Sequence, residues 1–596
     1  MTKQSYPHFL KSDLGKSILL NLIFFICALL FCEQKYEVSD DFVMETVLSG
    51  AYGTQENPHM LFVNIILGYI LLPFYRLFPG ISWYFITLLL AGFIAFVVIV
   101  YLIFKQSSST TAFLLSVILL VFFSNDIYIL VQFTKTAALC LFGGALLILY
   151  TLFYTKDKIQ LIVGILLGLL GSWIRFQTLY EVLPFILILF VFESCLYFHQ
   201  SRFKEKKTVI FNYVKLFLSV ILIMASIICC QFIDKISYQS NEEYRQYRDY
   251  AQARSSIVDS RDLGYEAYRL ELEKLGVSEN DYRMLRRWNF SDPDYFSIEK
   301  MQAIAHIIQS KNSTYWGGWQ ILFEQMQTRG YGTYAICLAC ILLFLLALVY
   351  APRYWWGYVG SVFLGFCLLL LFYIIGRVVY RVEYGIFVGI FLTILYFFDT
   401  DLYLKKAKTD DDMNKTTVLI LTAICLLYQL PTYIPNSEYK EISTEQRKSY
   451  LDSVYDKSWN YDMRKYRKIT GIFESNTGLI AEMESHPDSF YFLEFESTIQ
   501  SLYYDWDAFD SLGVGYYQNY MYLSGVTTHF PDTTALLAVN DLDNPYQSLV
   551  KEHVYLVANS MHEHILTYLQ EHYYPNARVE WIKNVEGYNI WKFYEE

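Results

Sequence analysis

Two adjacent carboxylates, Asp40 and Asp41, are the residues of this chain best suited to acid–base chemistry, and they follow its first hydrophobic segment. Glu45 comes four residues after Asp41, so a helix through this stretch would place both side chains on one face. One carboxylate of such a pair can take a proton from a hydroxyl group, while the other orients the acceptor or holds a divalent metal. The alternative is structural, because Ser39 and Asp40 are also good helix N-caps.

Three arginines are the candidate phosphate-binding residues, since a guanidinium group matches the oxygens of a phosphate with paired hydrogen bonds. Arg377 and Arg381 stand four residues apart and would share one helical face, and Arg175 separates two apolar runs. All three fall at the expected outer ends of membrane spans, the depth at which a lipid phosphate sits. The alternative is interfacial anchoring, or pairing within the chain such as that of Arg381 with Glu383.

The composition predicts a membrane protein that must position these residues at a bilayer surface. The chain has 596 residues, of which 54% are hydrophobic and only 18% are charged. Repeated apolar runs of about 20 residues are long enough to cross a bilayer as helices. The net charge of −11 argues against nucleic acid as a partner.

The distribution of lysine and arginine decides the expected topology. If the apolar run Met60–Phe78 crossed the membrane, the clusters Arg202–Lys207 and Lys405–Lys408 would lie outside the cell. If that run lies along the outer surface, both clusters face the cytoplasm, as the positive-inside rule favours. The N-terminus is then cytoplasmic and the C-terminus outside, with about eleven crossings: Leu14–Phe31, Ile81–Phe104, Ser107–Phe123, Thr136–Tyr154, Ile159–Trp173, Tyr180–Phe198, Val209–Ile233, Gly332–Tyr350, Trp355–Ile375, Tyr384–Phe398 and Thr417–Tyr433.

We expect two domains. Residues 1–433 form the transmembrane part, which includes an acidic outer loop with interfacial helices at 33–80 and a helical outer loop at 234–330. Residues 434–596 form an extracytoplasmic α/β domain, in which 489–493 and 588–593 are predicted strands and 562–572 a predicted helix.

Two motifs of the C-terminal domain are interpreted as structural. Asp541-Leu-Asp543 is similar to the Asp-x-Asp of nucleotide-sugar transferases, but the following Asn544-Pro545 predicts a turn. His562 and His564 would diverge on a helix, so the histidines of this domain do not predict a zinc site.

The acidic loop resembles that of the GT-C glycosyltransferases. The similarity consists of a cytoplasmic N-terminus, Asp40-Asp41 after the first span, Asn57-Pro-His59 in the same loop, and about eleven spans. The architecture is most similar to the protein O-mannosyltransferase and aminoarabinose-transferase branch, although the mannosyltransferases have Asp-Glu where this chain has Asp-Asp. The outer region also looks like multispan proteins of Gram-positive bacteria.

The resemblance implies an inverting glycosyltransferase of the cell membrane. It would move a sugar from a polyprenyl-phosphate donor to an extracytoplasmic acceptor: a cell-wall polysaccharide, a teichoic acid, a glycolipid or a protein. By family analogy the first acid is the base, and the second orients the acceptor or binds a divalent metal, the candidate cofactor. The implied site residues are Asp40 and Asp41 for catalysis, with Glu45, His59, Arg175, Arg377 and Arg381 for substrate binding.

Two other functions fit the composition. A polysaccharide polymerase or ligase also has many spans and large outer loops, but it would depend on outer arginines rather than on an acidic pair. A lipid-linked-sugar flippase or transporter would need broken helices and charges near the middle of the membrane. The predicted spans are poor in such charges, which argues against transport.

Overall fold

The computed structural model describes residues 11–32, 34–200, 206–314, 331–375, 379–406, 413–433, 477–499 and 507–595. Arg377 lies outside the described residues, as do residues 315–330 of the predicted outer loop and residues 434–476 of the predicted C-terminal domain. The predicted fold class is confirmed, since the described chain is a helical protein with many apolar helices and a C-terminal α/β domain.

The membrane part is built from long apolar helices. Among the described residues, nine helical segments have the length and composition needed to cross a bilayer. The elements up to residue 433 are α1 (Asp13–Phe31), β1 (Lys35–Tyr36), α2 (Ser39–Leu48), α3 (Ile65–Leu77), α4 (Trp83–Gln106), α5 (Ser109–Phe123), α6 (Asn125–Tyr128), β2 (Leu130–Val131), α7 (Phe133–Tyr150), α8 (Lys158–Ile174), α9 (Leu179–Gln200), α10 (Lys206–Gln239), α11 (Glu242–Val258), α12 (Arg269–Lys274), α13 (Glu279–Arg286), α14 (Ile298–Thr314), α15 (Tyr331–Tyr350), α16 (Trp355–Ile375), α17 (Tyr380–Lys406) and α18 (Lys415–Gln429).

Three shorter apolar helices of the described chain, α3, α5 and α8, also belong to this part. Helices α5 and α8 coincide with two of the eleven expected crossings. Helix α3 has 13 residues, so it is about 20 Å long and shorter than the roughly 30 Å hydrocarbon core. That length suits the surface position expected for the run Met60–Phe78.

Short polar side chains begin several of these helices where the apolar pattern starts. Ser12, Ser108 and Asp157 each accept a hydrogen bond from a backbone N–H group in the first turn of α1, α5 and α8. These caps satisfy donors that would otherwise lie unpaired at the helix ends.

The C-terminal domain contains a five-stranded mixed sheet in the order β4-β3-β5-β7-β6. Strand β3 lies parallel to both β4 and β5, whereas β7 runs antiparallel to β5 and β6. The predicted strands and the predicted helix at 562–572 are confirmed. The elements are α19 (Thr477–Glu484), β3 (Phe490–Leu493), β4 (Tyr520–Tyr522), α20 (Pro531–Val539), β5 (Val554–Val557), α21 (His562–His572), β6 (Arg578–Val585) and β7 (Tyr588–Tyr594).

The helical loop α11–α14 and the C-terminal sheet share one hydrophobic core. Met301 and Ile308 from the loop are fully buried in the same cluster as Phe492 and Leu556 from the sheet. Asp292 ties the two parts together, because the hydroxyl groups of Tyr568 and Tyr573 donate to its Oδ2 at 2.7 and 2.6 Å. The loop and the sheet therefore form a single folded unit.

Candidate active site

The acidic pair lies in the first turn of α2, whose position is fixed by a short parallel β-bridge. Strand β1 pairs with β2 in the register Lys35↔Leu130 and Tyr36↔Val131, so the start of α2 lies beside the start of α7. The N-cap of α2 is Val38, which makes no side-chain capping bond. Neither Ser39 nor Asp40 is therefore the cap, but both acids stand in the first turn, where negative charge stabilises a helix.

Asp41 is fully buried and bound on the protein side. Its Oδ1 accepts hydrogen bonds from the Tyr84 hydroxyl at 2.9 Å and from the Phe133 backbone N–H at 3.3 Å. Burial raises the pKa of Asp41 well above its usual value, and the Tyr84 hydrogen bond opposes this shift. Asp41 therefore links α2 to α4 and α7 and is closed to solvent.

Asp40 is the accessible acid of the pair. Its side chain is 24% exposed, and its Oδ2 lies 3.8 Å from Nη2 of Arg381 at the start of α17. This distance defines an ion pair and exceeds that of a hydrogen bond. The structure thus brings together one acid and one arginine that the sequence singled out separately, while Arg377 lies outside the described residues.

A buried three-residue charge cluster supports this arrangement. Nζ of Lys135 lies 2.5 Å from Glu37 Oε2 and 2.8 Å from Asp126 Oδ1, and the lysine side chain is 0% exposed. The Tyr380 hydroxyl donates to the other Asp126 oxygen at 3.1 Å. Because Tyr380 precedes Arg381, the cluster anchors the end of α17 that carries the arginine.

Glu37 and Asp126 were not predicted as site residues. Glu37 stands three residues before Asp40, and Asp126 lies in the single turn α6. In the sequence, their only signal is that two acids and a lysine lie near the ends of predicted spans, and many surface residues share this pattern. Their convergence depends on the β1–β2 bridge, which two residues from each strand form.

Arg175 lies at the C-cap of α8 and faces the same region. Its guanidinium carbon lies 5.0 Å from the ring centre of Phe133 and 5.3 Å from that of Phe62, within cation–π range. Phe133 is also the residue whose backbone N–H binds Asp41. Arg175 is therefore joined to the acidic helix through a single intermediate residue.

Glu45 is buried one turn after Asp41, away from solvent. Burial raises its pKa to about 8. A segment of the C-terminal domain covers the end of α2, since Gly515 N donates to Gly50 O at 3.0 Å and Tyr517 N donates to Ala51 O at 2.9 Å. This environment suits a residue that holds the helix in place, although Glu45 was predicted to bind substrate.

His59 lies at a junction of three chain segments. Its ring stacks on Tyr244 with centres 3.8 Å apart, Nδ1 lies 3.0 Å from Asn57 Oδ1, and Nε2 lies 3.3 Å from Ser237 Oγ. Burial lowers the pKa of His59 to about 4, so the ring is neutral at physiological pH. These contacts occupy both ring nitrogens with protein partners.

Asn57 completes this junction. Its amide donates to the Tyr244 hydroxyl at 2.7 Å and to Asp532 Oδ2 of the C-terminal domain at 2.8 Å. The motif Asn57-Pro-His59 therefore connects the first loop to α11 and to α20. Its described contacts are those of a structural joint.

The described contacts of the acidic pair are not those of a divalent-metal site. Asp41 accepts hydrogen bonds from Tyr84 and Phe133, and Asp40 faces a guanidinium group, whereas such a metal needs several converging oxygen ligands. Elsewhere among the described residues, the possible ligand atoms of Asp281, Glu571 and His572 lie within 4.8 Å of one another. There, His572 Nε2 lies 2.8 Å from Asp281, and Ser278 donates to Glu571 at 2.8 Å.

Comparison with known proteins adds one alignment. No protein-family model matches this chain, and no curated protein matches it. The crystal structure of ArnT from Cupriavidus metallidurans in the apo state aligns with 96% of this chain and 96% of its own, at 9% sequence identity and a TM-score of 0.36. At this level of similarity, the functional assignment rests on the residues of the chain itself.

Proposed function

We propose that this protein is a membrane glycosyltransferase that moves a sugar from a polyprenyl-phosphate donor to a hydroxyl acceptor outside the cytoplasm. The observation that carries the proposal is the accessible ion pair of Asp40 and Arg381 beside the anchored start of α2. A general base and a phosphate-binding cation are the two groups that such a transfer needs in proximity.

Asp40 is proposed as the general base. Its partial exposure lets an acceptor hydroxyl approach, whereas Asp41 is buried against Tyr84 and the Phe133 backbone. As the sugar passes through an oxocarbenium-like state, Asp40 would take the proton of the attacking hydroxyl. A single displacement from the face opposite the phosphate inverts the configuration at the sugar carbon.

Arg381 and Arg175 are proposed to bind the leaving phosphate. A phosphate is a good leaving group when its charge is stabilised, so it needs cations more than a general acid. Arg381 would exchange its contact with Asp40 for the phosphate of the donor. That exchange would also release the Asp40 carboxylate to act on the acceptor.

The test is sugar transfer by purified protein in lipid, measured with thermal stability for Asp40→Asn and Asp41→Asn. We expect Asp40→Asn to lose about 10²–10⁴ in turnover while it folds and binds the lipid donor. Asp41→Asn should instead lower stability, because it disturbs a buried bonded carboxylate, and the folded fraction should retain most turnover. Normal turnover of folded Asp40→Asn would refute the role of Asp40 as base.

A further inference from the structure

A groove of about 400 Å³ lies between the beginnings of α1 and α5, next to the end of α4. Its floor is formed by Leu20 and Phe104, which are both 8% exposed. Its walls are the half-exposed apolar side chains of Leu19, Ile23 and Phe113. Because α1 and α4 have the length and composition of membrane spans, these walls face the hydrocarbon of the bilayer.

The polar end of the groove lies at one surface of the membrane. Lys16 stands in the first turn of α1, Lys105 in the last turn of α4, and Ser109 is the first residue of α5. The ends of these apolar helices meet here, so the three side chains lie at the depth of lipid headgroups. Under the expected topology this surface is cytoplasmic, and the cytoplasmic leaflet carries anionic lipids.

Lys16 is the cation that borders the groove. Its Nζ donates a hydrogen bond to Ser109 Oγ at 3.3 Å and lies 5.5 Å from the ring centre of Phe104. Asp13 Oδ2 lies 2.9 Å from Nζ of Lys105, whereas Asp13 Oδ1 lies 3.8 Å from Nζ of Lys16. The aspartate is therefore bound closely to Lys105, and these three charged residues leave one positive charge, at Lys16.

The start of α5 favours an anion at the same place. Ser109 and Thr110 both line the groove, and both belong to the first turn of α5, which contains no acidic residue. The N-terminus of a helix carries a partial positive charge, which adds to the charge of Lys16. This end of the groove thus combines a lysine, two hydroxyl residues and a helix N-terminus, a set that suits a phosphate group.

We propose that this groove binds one anionic phospholipid, with an acyl chain between Leu19 and Phe113 and the phosphate at Lys16. The single negative charge of the headgroup matches the single positive charge at this end, whereas a zwitterionic headgroup would also bring a cation beside Lys16. Helix α1 has 19 residues and is about 28 Å long, and Asp40 follows its opposite end. The lipid site is therefore distinct from the candidate active site and does not depend on the proposed function.

The test is native mass spectrometry of the full-length protein in detergent, titrated with phosphatidylglycerol or with phosphatidylcholine. Wild-type protein should bind its first phosphatidylglycerol more tightly than further ones and more tightly than phosphatidylcholine. Lys16→Gln removes the charge and keeps most of the side-chain length. It should weaken the first phosphatidylglycerol about fivefold and phosphatidylcholine distinctly less, because one lysine beside an anionic headgroup contributes about that factor.

Lys158→Gln is the matched control for charge. Lys158 is exposed at the start of α8, at the same membrane surface under the expected topology, and it does not line the groove. Its loss should leave the affinity for the first phosphatidylglycerol equal to that of the wild type.

Thr110→Phe tests the groove itself. The larger side chain would occupy the groove, so both lipids should bind more weakly. Leu90→Phe is the control for size, because Leu90 is 49% exposed on α4 and lies outside the groove. This second change should leave the affinity of both lipids unaltered.

Three results would overturn the proposal. The first is an unchanged affinity for phosphatidylglycerol in folded Lys16→Gln and Thr110→Phe. The second is an equal loss in Lys158→Gln, since the effect would then come from net charge alone. The third is displacement of the phospholipid by a lower concentration of polyprenyl phosphate, which would assign the groove to a different lipid. Sugar transfer is not measured in any of these experiments, so the proposed function is tested separately.

Discussion

Lys135 and Arg381 each lie beside an acid from the same short stretch of chain, Glu37 and Asp40, but the two clusters differ in distance and in exposure. Lys135 lies within 2.8 Å of two carboxylates and is fully enclosed, whereas Arg381 lies 3.8 Å from Asp40 and is 25% exposed. A buried, saturated cluster cannot exchange partners without leaving a charge unpaired. A looser, accessible pair can, so the first cluster supports the structure, and we propose that substrate binds at the second.

The largest effect is expected from Lys135→Met. This change leaves Glu37 and Asp126 buried without their cation, a loss of about 3–5 kcal/mol in the free energy of unfolding. Thermal unfolding in detergent measures it, with Arg381→Gln as the comparison, because an exposed ion pair contributes at most about 1 kcal/mol. Equal stability of the two variants would remove the distinction between the clusters.

A second experiment tests how burial changes the pKa of an acid. Glu45 is the residue to use, because no cation is described beside it. Its pKa of about 8 lies above the unfolded value of 4.5, so between these values the folded state binds a proton that the unfolded state lacks. This stabilisation is complete below about pH 4.5 and declines as pH rises towards 8, by up to about 1.4 kcal/mol per unit.

Glu45→Gln should remove that dependence. The variant should therefore gain stability relative to the wild type between pH 5 and pH 8, as measured by chemical unfolding at both values. Asp541→Asn, an exposed acid, serves as the reference. Parallel pH profiles of Glu45→Gln and the wild type would contradict the shift.

Binding of the lipid donor tests the proposed role of Arg381 directly. A charge-assisted bond to phosphate contributes about 1.5–3 kcal/mol, so Arg381→Gln should weaken binding of the lipid donor about tenfold or more. Direct binding to protein in nanodiscs measures the effect, and Arg248→Gln is a suitable control because Arg248 pairs with Asp234 in α10. Unchanged affinity in Arg381→Gln would exclude it as a phosphate ligand.

The smallest effect is expected at the Asp-x-Asp motif. Asp541 is 96% exposed and pairs with Lys551 at 3.3 Å, in a turn where its φ is +57°. Asp541→Asn should change stability by less than about 0.5 kcal/mol and leave sugar transfer unchanged. A large loss of transfer would move the candidate site away from α2 and into the C-terminal domain.

The sequence predicted the features that depend on local periodicity. The spans follow from apolar runs of membrane length, and the helix at 562–572 from its pattern, because both are set by neighbours along the chain. Asp40 and Arg381 were placed on the same side of the membrane by charge distribution, which is also a local count.

Features that depend on long-range packing were not predicted. The β1–β2 bridge brings together Glu37, Asp126 and Lys135. Each strand contributes only two residues to this bridge, too few to show a periodic pattern in the sequence. The accessibility of Asp40 and the burial of Asp41 likewise required the positions of Tyr84 and Phe133.

The core shared by α11–α14 and the C-terminal sheet has a consequence for biogenesis. The loop α11–α14, which supplies the first half of this core, leaves the ribosome about 180 residues before strand β3. At roughly 5–20 residues per second, this is a delay of about 10–35 s. During that time the apolar side chains of Met301 and Ile308 have no sheet to cover them, while the described apolar helices α15 to α18 are still being made. The apolar side of the loop therefore stays open to proteases and to aggregation until the sheet has been made, and truncation within the sheet would expose it.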